Sequence, residues 1–263
     1  MSSALVLSNS APKSGGLFLS RLTKEILREQ SDQPIIELTD GLFAGEWPNA
    51  RPLSRSWDAL RANNDAMFFC MGHFLPDAVV EARPDFLILH FRSILDSVVS
   101  WMDHVDSSLA RNRQLNEIAI PYTYRQSWRE KSRDLQEIDV VSSFGLDLIR
   151  YLSEWVEALP TLREGPPQQG ARTSARTSQF HGIPVVISSY TEITDGLEAL
   201  TADIAHFLDP GAKRKPEPSD FQTLKTPENN FNVGVRGRGE TLSETSKKFL
   251  STAARANNCD AWL

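Results

Sequence analysis

Cysteine is scarce in this chain: its 263 residues include two, Cys70 and Cys259, far apart in sequence. Two thiols exclude a disulfide scaffold and a cysteine-built zinc cluster. No clustered set of metal-ligating residues stands out, so no metal is expected. Long apolar runs are missing as well; none approaches the roughly 18 to 20 residues that cross a bilayer. Met1 to Leu7 lacks a basic stretch followed by an apolar core, so no secretory leader is expected. A basic surplus is also absent: 28 Lys and Arg stand against 34 Asp and Glu, a formal net charge of −6. That balance speaks against a general nucleic-acid binder, yet it is compatible with a local basic pocket for a phosphate. No internal repeat is found. What is there is ordinary for a globular protein, with 40% hydrophobic and 24% charged residues. A single soluble, cytoplasmic domain spanning residues 1–263 is the expectation.

Ala4-Leu5-Val6-Leu7-Ser8 predicts a buried first strand. Asn9 to Gly16 is loop chemistry, and apolar residues at 18, 19, 22 and 26 then predict a helix over Leu17–Leu27. The order strand, glycine loop, helix puts main-chain N–H groups and a helix N-terminus around whatever sits on the loop. Further strands are expected at Ala66–Cys70, Pro84–Phe91 and Ile183–Ser188. Helices are expected from Ile94 to about His104, over much of 105–160, and at Leu197–Leu208. Strands alternating with helices predict an α/β fold with a central parallel sheet flanked by helices. Residues 163–179 are Gly, Pro, Gln, Ser, Thr and Arg with almost nothing apolar, and read as a flexible loop inside the domain. A Gly-Arg tract, Val233 to Gly239, precedes a last helix starting near Thr241 or Ser243.

Two segments carry chemistry. In Pro12-Lys13-Ser14-Gly15-Gly16 the glycines let the backbone approach an oxyanion, N–H groups donate, and Lys13 adds a point charge. A plain surface turn is the other reading. The pattern is not a Walker loop, in which the lysine follows the glycines. Arg92 stands at the C-terminal end of a predicted strand, where ligands gather in open α/β sheets. Ser100 comes eight residues later, about two helical turns. A guanidinium and a hydroxyl so placed suit a second phosphate; a surface arginine and a helix serine are the alternative.

Together these segments resemble the sulfotransferases that use 3′-phosphoadenosine 5′-phosphosulfate (PAPS). In that family a Pro-Lys-Ser-Gly-Thr-Thr-Trp loop after the first strand binds the 5′-phosphosulfate. An Arg-…-Asp-…-Ser segment binds the 3′-phosphate, and Arg92, Asp96 and Ser100 match its spacing. Gly72-His73-Phe74-Leu75-Pro76 is similar to the family's Lys-Thr-His-Leu-Pro, whose histidine is the general base. Tyr190-Thr191-Glu192-Ile193 resembles Tyr-Glu-Asp-Leu, and Asn232-Val233-Gly234-Val235-Arg236-Gly237 resembles the Arg-Lys-Gly-x-x-Gly loop over the 3′-phosphate. The matches run in family order from residue 4 to about 250.

The resemblance implies sulfuryl transfer from PAPS to a hydroxyl or amine of a small-molecule acceptor, leaving 3′-phosphoadenosine 5′-phosphate (PAP). It implies His73 as general base and Lys13 as stabiliser of the leaving phosphate. The nucleotide is expected on Lys13, Ser14, Gly15, Gly16, Leu17 through its backbone, Phe18 as the aromatic under adenine, Arg92, Ser100, Tyr190, Val233, Gly234, and Arg236 or Arg238. Gly16 and Leu17 replace two threonines, Met71 replaces a lysine, and Asn232-Val233 replaces the Arg-Lys pair. His90 is expected to be a satisfied core histidine. His104 is expected on a solvated helix face or in the acceptor pocket, and Trp128 in the core or in that pocket with Tyr122 and Tyr124. A P-loop-type kinase and a catalytically inactive nucleotide-binding protein are the competing readings. The kinase lacks its motifs here.

Overall fold

Leu5 and Leu7 belong to one apolar core and Ala4 and Val6 to another, the period-two alternation of a strand buried on both faces. The computed structural model describes residues 4–38, 43–44, 51–52, 65–110, 128–166, 176–211 and 237–263. Its main sheet has six strands: β1 (Ala4–Ser10), β2 (Ile35–Leu38), β3 (Met67–Gly72), β4 (Phe86–Phe91), β5 (Arg176–Phe180) and β6 (Ile183–Ser189), in the order β2-β3-β1-β4-β6-β5. A separate two-residue pairing joins Phe43–Ala44 to Arg51–Pro52. β1 is central, with Ser8 beside Met71 of β3 and beside Ile88 of β4.

The helices are α1 (Gly16–Gln30), α2 (Pro76–Ala82), α3 (Ile94–Ala110), α4 (Arg133–Val140), α5 (Leu146–Ala158), α6 (Tyr190–Asp195), α7 (Leu197–Leu208) and α8 (Glu244–Ala256). α1 and α7 cover one face of the sheet, and α3, α5 and α8 the other. The chain therefore leaves β1 toward one face and β4 toward the opposite face. A crevice opens between those two exits, at the carboxyl ends of neighbouring parallel strands. A π-turn, Val141–Gly145, joins α4 to α5. It lays Phe144 flat on Trp101 of α3, ring centroids 4.5 Å apart, and brings Gly145 under Leu250 of α8.

The α/β sheet flanked by helices is as expected, with one difference. β5 runs antiparallel to β6, and it occupies Arg176–Phe180, the end of the stretch read as a loop. The reason is the turn His181-Gly182, where φ is 50° and 80°. Two left-handed residues make the tight hairpin that brings a polar strand back onto the sheet edge. β2 was likewise not foreseen. Trp128 is a core residue, 1% exposed, with its indole N–H donating to Asp106 at 2.6 Å.

Candidate active site

The expected segments at Lys13–Gly16, His73, Arg92 and Tyr190 each follow the carboxyl end of a parallel strand, while Ser100 lies within α3 and Arg238 in the late glycine segment. The loop after β1 is closed by its own hydrogen bonds. The Ala11 N–H donates to the His90 carbonyl at 2.8 Å, and the Ser14 hydroxyl and N–H donate to the Ala11 carbonyl at 2.6 and 3.2 Å. His90 lies beneath, fully buried, with Nε2 donating to the Ser14 carbonyl at 2.7 Å and Nδ1 2.8 Å from the Ser188 hydroxyl. Burial pushes its pKa down to about 4, so it is a neutral core histidine that joins the loop to β6. Lys13 has φ 63°, a left-handed conformation that costs a side-chain-bearing residue about 1–2 kcal/mol.

Gly15, at φ 96°, precedes α1, and a Cβ there would lie 3.0 Å from the Tyr190 ring. A Cβ on Gly16 would lie 2.0 Å from the Ser10 hydroxyl oxygen. The threonine of the family pattern has no room here because Ser10 fills its space. α1 starts with no side-chain cap and no acidic residue in its first turn. Its first N–H groups have no intrahelical partner, and donors so placed suit an anion. Leu17 is half-buried, and its backbone N–H is one of these first-turn donors. Phe18 does not face the crevice. It is 1% exposed and packs with Val6, Phe69 and Tyr190, because positions 18, 19, 22 and 26 form the stripe of α1 that covers the sheet.

Lys13 is half-buried, and among the described residues no carboxylate pairs with it. Its Nζ lies 5.4 Å from the Trp101 ring centroid. Burial lowers its pKa to about 7. His104, beside Trp101, is lowered to about 4 by burial and by the Lys13 charge.

His73 follows β3. Its Nδ1 lies 2.6 Å from the Ser10 carbonyl, which can only accept, so Nδ1 carries the proton and Nε2 keeps its lone pair. Burial and, more weakly, Lys13 lower its pKa, against the hydrogen bond to Ser10, so the imidazole is neutral. Sequence reasoning missed what holds it there. Asn9, fully buried at the end of β1, grips the adjacent Phe74: its amide donates to the Phe74 carbonyl at 2.9 Å and accepts from the Phe74 N–H at 2.7 Å. The Trp155 indole donates to the same carbonyl at 3.0 Å. The signal was weak, because Asn9 stands between Ser8 and Ser10 where the apolar run ends and the loop reading begins. Met71, in place of the family's lysine, is 38% exposed.

Arg92 follows β4, and 4% of its side chain is exposed. Its guanidinium carbon lies 4.0 Å from the Tyr190 ring centroid, Nη1 donates to the Lys13 carbonyl at 3.3 Å, and Nη2 is 3.7 Å from Asp96. Asp96 in turn accepts from the N–H groups of Gly237 at 3.2 Å and Gly239 at 2.8 Å. The carboxylate thus staples the late glycine segment to α3. Ser100, 4% exposed, lies one turn beyond Asp96 on α3. Arg238 sits close enough for its charge to lower the pKa of Arg92, while burial is the larger cause. Burial raises the pKa of Tyr190, with Arg92 pulling the other way. A cavity of about 300 Å³ is lined by Arg92, Asp96, Ser189, Tyr190, Gly237 and Gly239, among others. Val233, Gly234, Arg236, Tyr122 and Tyr124 lie outside the described residues.

The structure therefore gathers Lys13, Gly15, Gly16, Arg92 and Tyr190 around one crevice, with His73 and Arg238 at its sides. Among the described residues no group of His, Cys, Asp and Glu is arranged to hold a metal ion. No helix of the described residues is long and apolar enough to cross a membrane.

Two solved structures share this architecture. Mouse sulfotransferase SULT7A1 complexed with PAP superposes with a TM-score of 0.52 over 98% of this chain and 88% of its own, at 13% identity. Retinol dehydratase in complex with androsterone and inactive cofactor PAP gives 0.56 over 98% and 82%, at 14% identity. The chain has the PAPS-dependent sulfotransferase fold. No protein-family model and no curated protein sequence matches it. In this chain β1, β3, β4 and β6 run parallel, so the loops that follow them lie on one side of the sheet.

Proposed function

We propose that the chain transfers a sulfuryl group from PAPS to a hydroxyl or amine of a small-molecule acceptor. The observation that carries this reading is Lys13, a half-buried lysine with no carboxylate partner among the described residues, just ahead of an uncapped helix start. Withdrawing an unpaired charge from water is unfavourable unless an anion joins it. The residues fit a nucleotide with phosphate groups at both ends: Lys13 and the first turn of α1 for the 5′ group, and Arg92, Ser100 and Arg238 for the 3′-phosphate. Tyr190 is the aromatic for the adenine side, in place of the inward-turned Phe18. PAP in the two structural neighbours supports the same assignment.

PAPS when bound supplies an activated sulfuryl group on a phosphate leaving group. The chain's own residues do the rest. Lys13 holds positive charge where negative charge develops on the departing phosphate. His73, neutral and fixed through Nδ1, takes the proton of the acceptor hydroxyl at Nε2. Asn9 and Trp155 hold the peptide that aims it. The acceptor is a small molecule, and the setting is cytoplasmic.

Calorimetry with PAP followed by a labelled-PAPS screen of acceptor classes tests the reading. PAP should bind, and His73→Ala should lower turnover at least about a hundredfold while leaving PAP affinity unchanged. Failure to bind PAP, or binding of ATP in its stead, overturns the proposal. Near-normal turnover by the variant removes His73 from the mechanism.

A further inference from the structure

Two cavities flank the segment Gly237–Gly239. One is the 300 Å³ cavity on the Arg92 side. The other, about 470 Å³, is lined by Val99, Met102, Asp103, Arg133, Glu137 and Arg238, and Gly237 borders both. The backbone between them is held by Asp96 through the N–H groups of Gly237 and Gly239. The side chain of Arg238 is thus the part of this segment able to change sides. It lies in the second cavity, ion-paired with Asp103 of α3. Among the described residues Asp103 is the only carboxylate that pairs with Arg238. Arg133, which also approaches Asp103 at 3.9 Å, has a better partner in Asp106 at 2.9 Å. The Arg238 charge is nevertheless felt by Arg92. An anion set against Arg92 therefore attracts Arg238 as well.

We propose that Asp103 is a positioning residue that sets the affinity for the nucleotide's 3′-phosphate by competing with that phosphate for the Arg238 guanidinium. The inference rests on the nucleotide reading above and adds its discriminating element. A 3′-phosphate carries more charge than one carboxylate and offers several acceptor oxygens. It wins Arg238, but only after an ion pair is broken, so part of its attraction is lost. A nucleotide without a 3′-phosphate has nothing to gain from Arg238 and is indifferent to Asp103. Arg238 then replaces, from a different position, the cations missing at Asn232 and Val233.

The test is a set of dissociation constants for PAP and for adenosine 5′-monophosphate, which differ by the 3′-phosphate alone. The proteins are the unaltered chain, D103N, D103S, R238Q and D103N/R238Q. Asp103 is 32% exposed, so its substitution leaves the core intact, and the two variants check each other. D103N and D103S are expected to bind PAP about two- to fivefold more tightly, with the monophosphate unchanged. R238Q is expected to bind PAP about tenfold more weakly, and D103N/R238Q to match R238Q. An unchanged ratio of the two ligands in D103N and D103S overturns the inference alone. So does a double variant that gains over R238Q as much as D103N gains over the parent. A parent chain that does not prefer PAP overturns the nucleotide reading and this inference with it.

Discussion

At the scale of single residues, the proposed chemistry turns on Lys13 and Asn9. Burial holds the Lys13 pKa at about 7, against about 10.4 for an exposed lysine. A bound anion favours the charged form, so above pH 7 PAP binding must bring a proton with it. PAP affinity is expected to fall as pH rises from 7 toward 9, by up to about tenfold per unit. Calorimetry in buffers of different ionisation enthalpy should show the matching proton uptake, and an uptake of zero at pH 8.5 would remove Lys13 from the anion site. In the proposed mechanism Asn9 acts through His73, by holding the backbone of the adjacent Phe74. Asn9→Ala removes two of the hydrogen bonds that hold the Phe74 backbone, with Trp155 still donating to its carbonyl, and should cost about 1–3 kcal/mol of stability. It should also lower kcat far more than it alters PAP affinity, and equal effects on both would make Asn9 purely structural. Lys13, His73 and Arg92 were legible in the sequence because each follows its strand directly, so local order alone places it. Asn9 was not, because its partner is 65 residues away. Asp96 was legible in spacing but not in role, since its partners come from the distant segment 237–239.

Elements show where local pattern stops being enough. The stripe of α1 at 18, 19, 22 and 26 was readable, and it packs Phe18 into the core in the same cluster as Tyr190, whereas motif position implies a place under adenine. Periodicity predicted the orientation and the motif did not. The edge strand β5 was invisible because Arg-Thr-Ser-Gln-Phe has no apolar alternation; a hairpin turn and main-chain pairing to β6 make it. The junction of β1 and α1 gives a direct test. Gly16→Ala puts a methyl group 2.0 Å from the Ser10 hydroxyl oxygen and should destabilise the protein by about 1–3 kcal/mol, with loss of PAP binding. Adding Ser10→Gly removes both close atoms and should restore binding and most of the melting temperature. A double variant no better than Gly16→Ala would show that the first turn of α1 fails for another reason.

For the whole molecule, the pattern of strands and helices was readable because buried parallel strands are short apolar runs, as at Leu5-Val6-Leu7 and Leu87-Ile88-Leu89. That economy has an acid-labile centre. His90 is fully buried, and burial brings its pKa to about 4, so the folded form stays neutral where an unfolded chain takes up a proton near pH 6.5. The unfolded state binds more protons between these values, so stability should fall as pH drops from about 6.5 to 4, by up to about 3 kcal/mol from this residue. Urea midpoints measured across that range check it, and a flat profile would show that His90 is charged or accessible in the fold. The helix start at Gly16 has a broader implication. Peptide hydrogens belong to every residue except proline, so a handhold made of them depends on the room left around the backbone and not on the chemistry of the side chains that carry it. On the proposed reading, Gly16 and Leu17 would hold an anion through the same main-chain donors that two threonines offer in the motif they resemble, given the space that Ser10 leaves beside them.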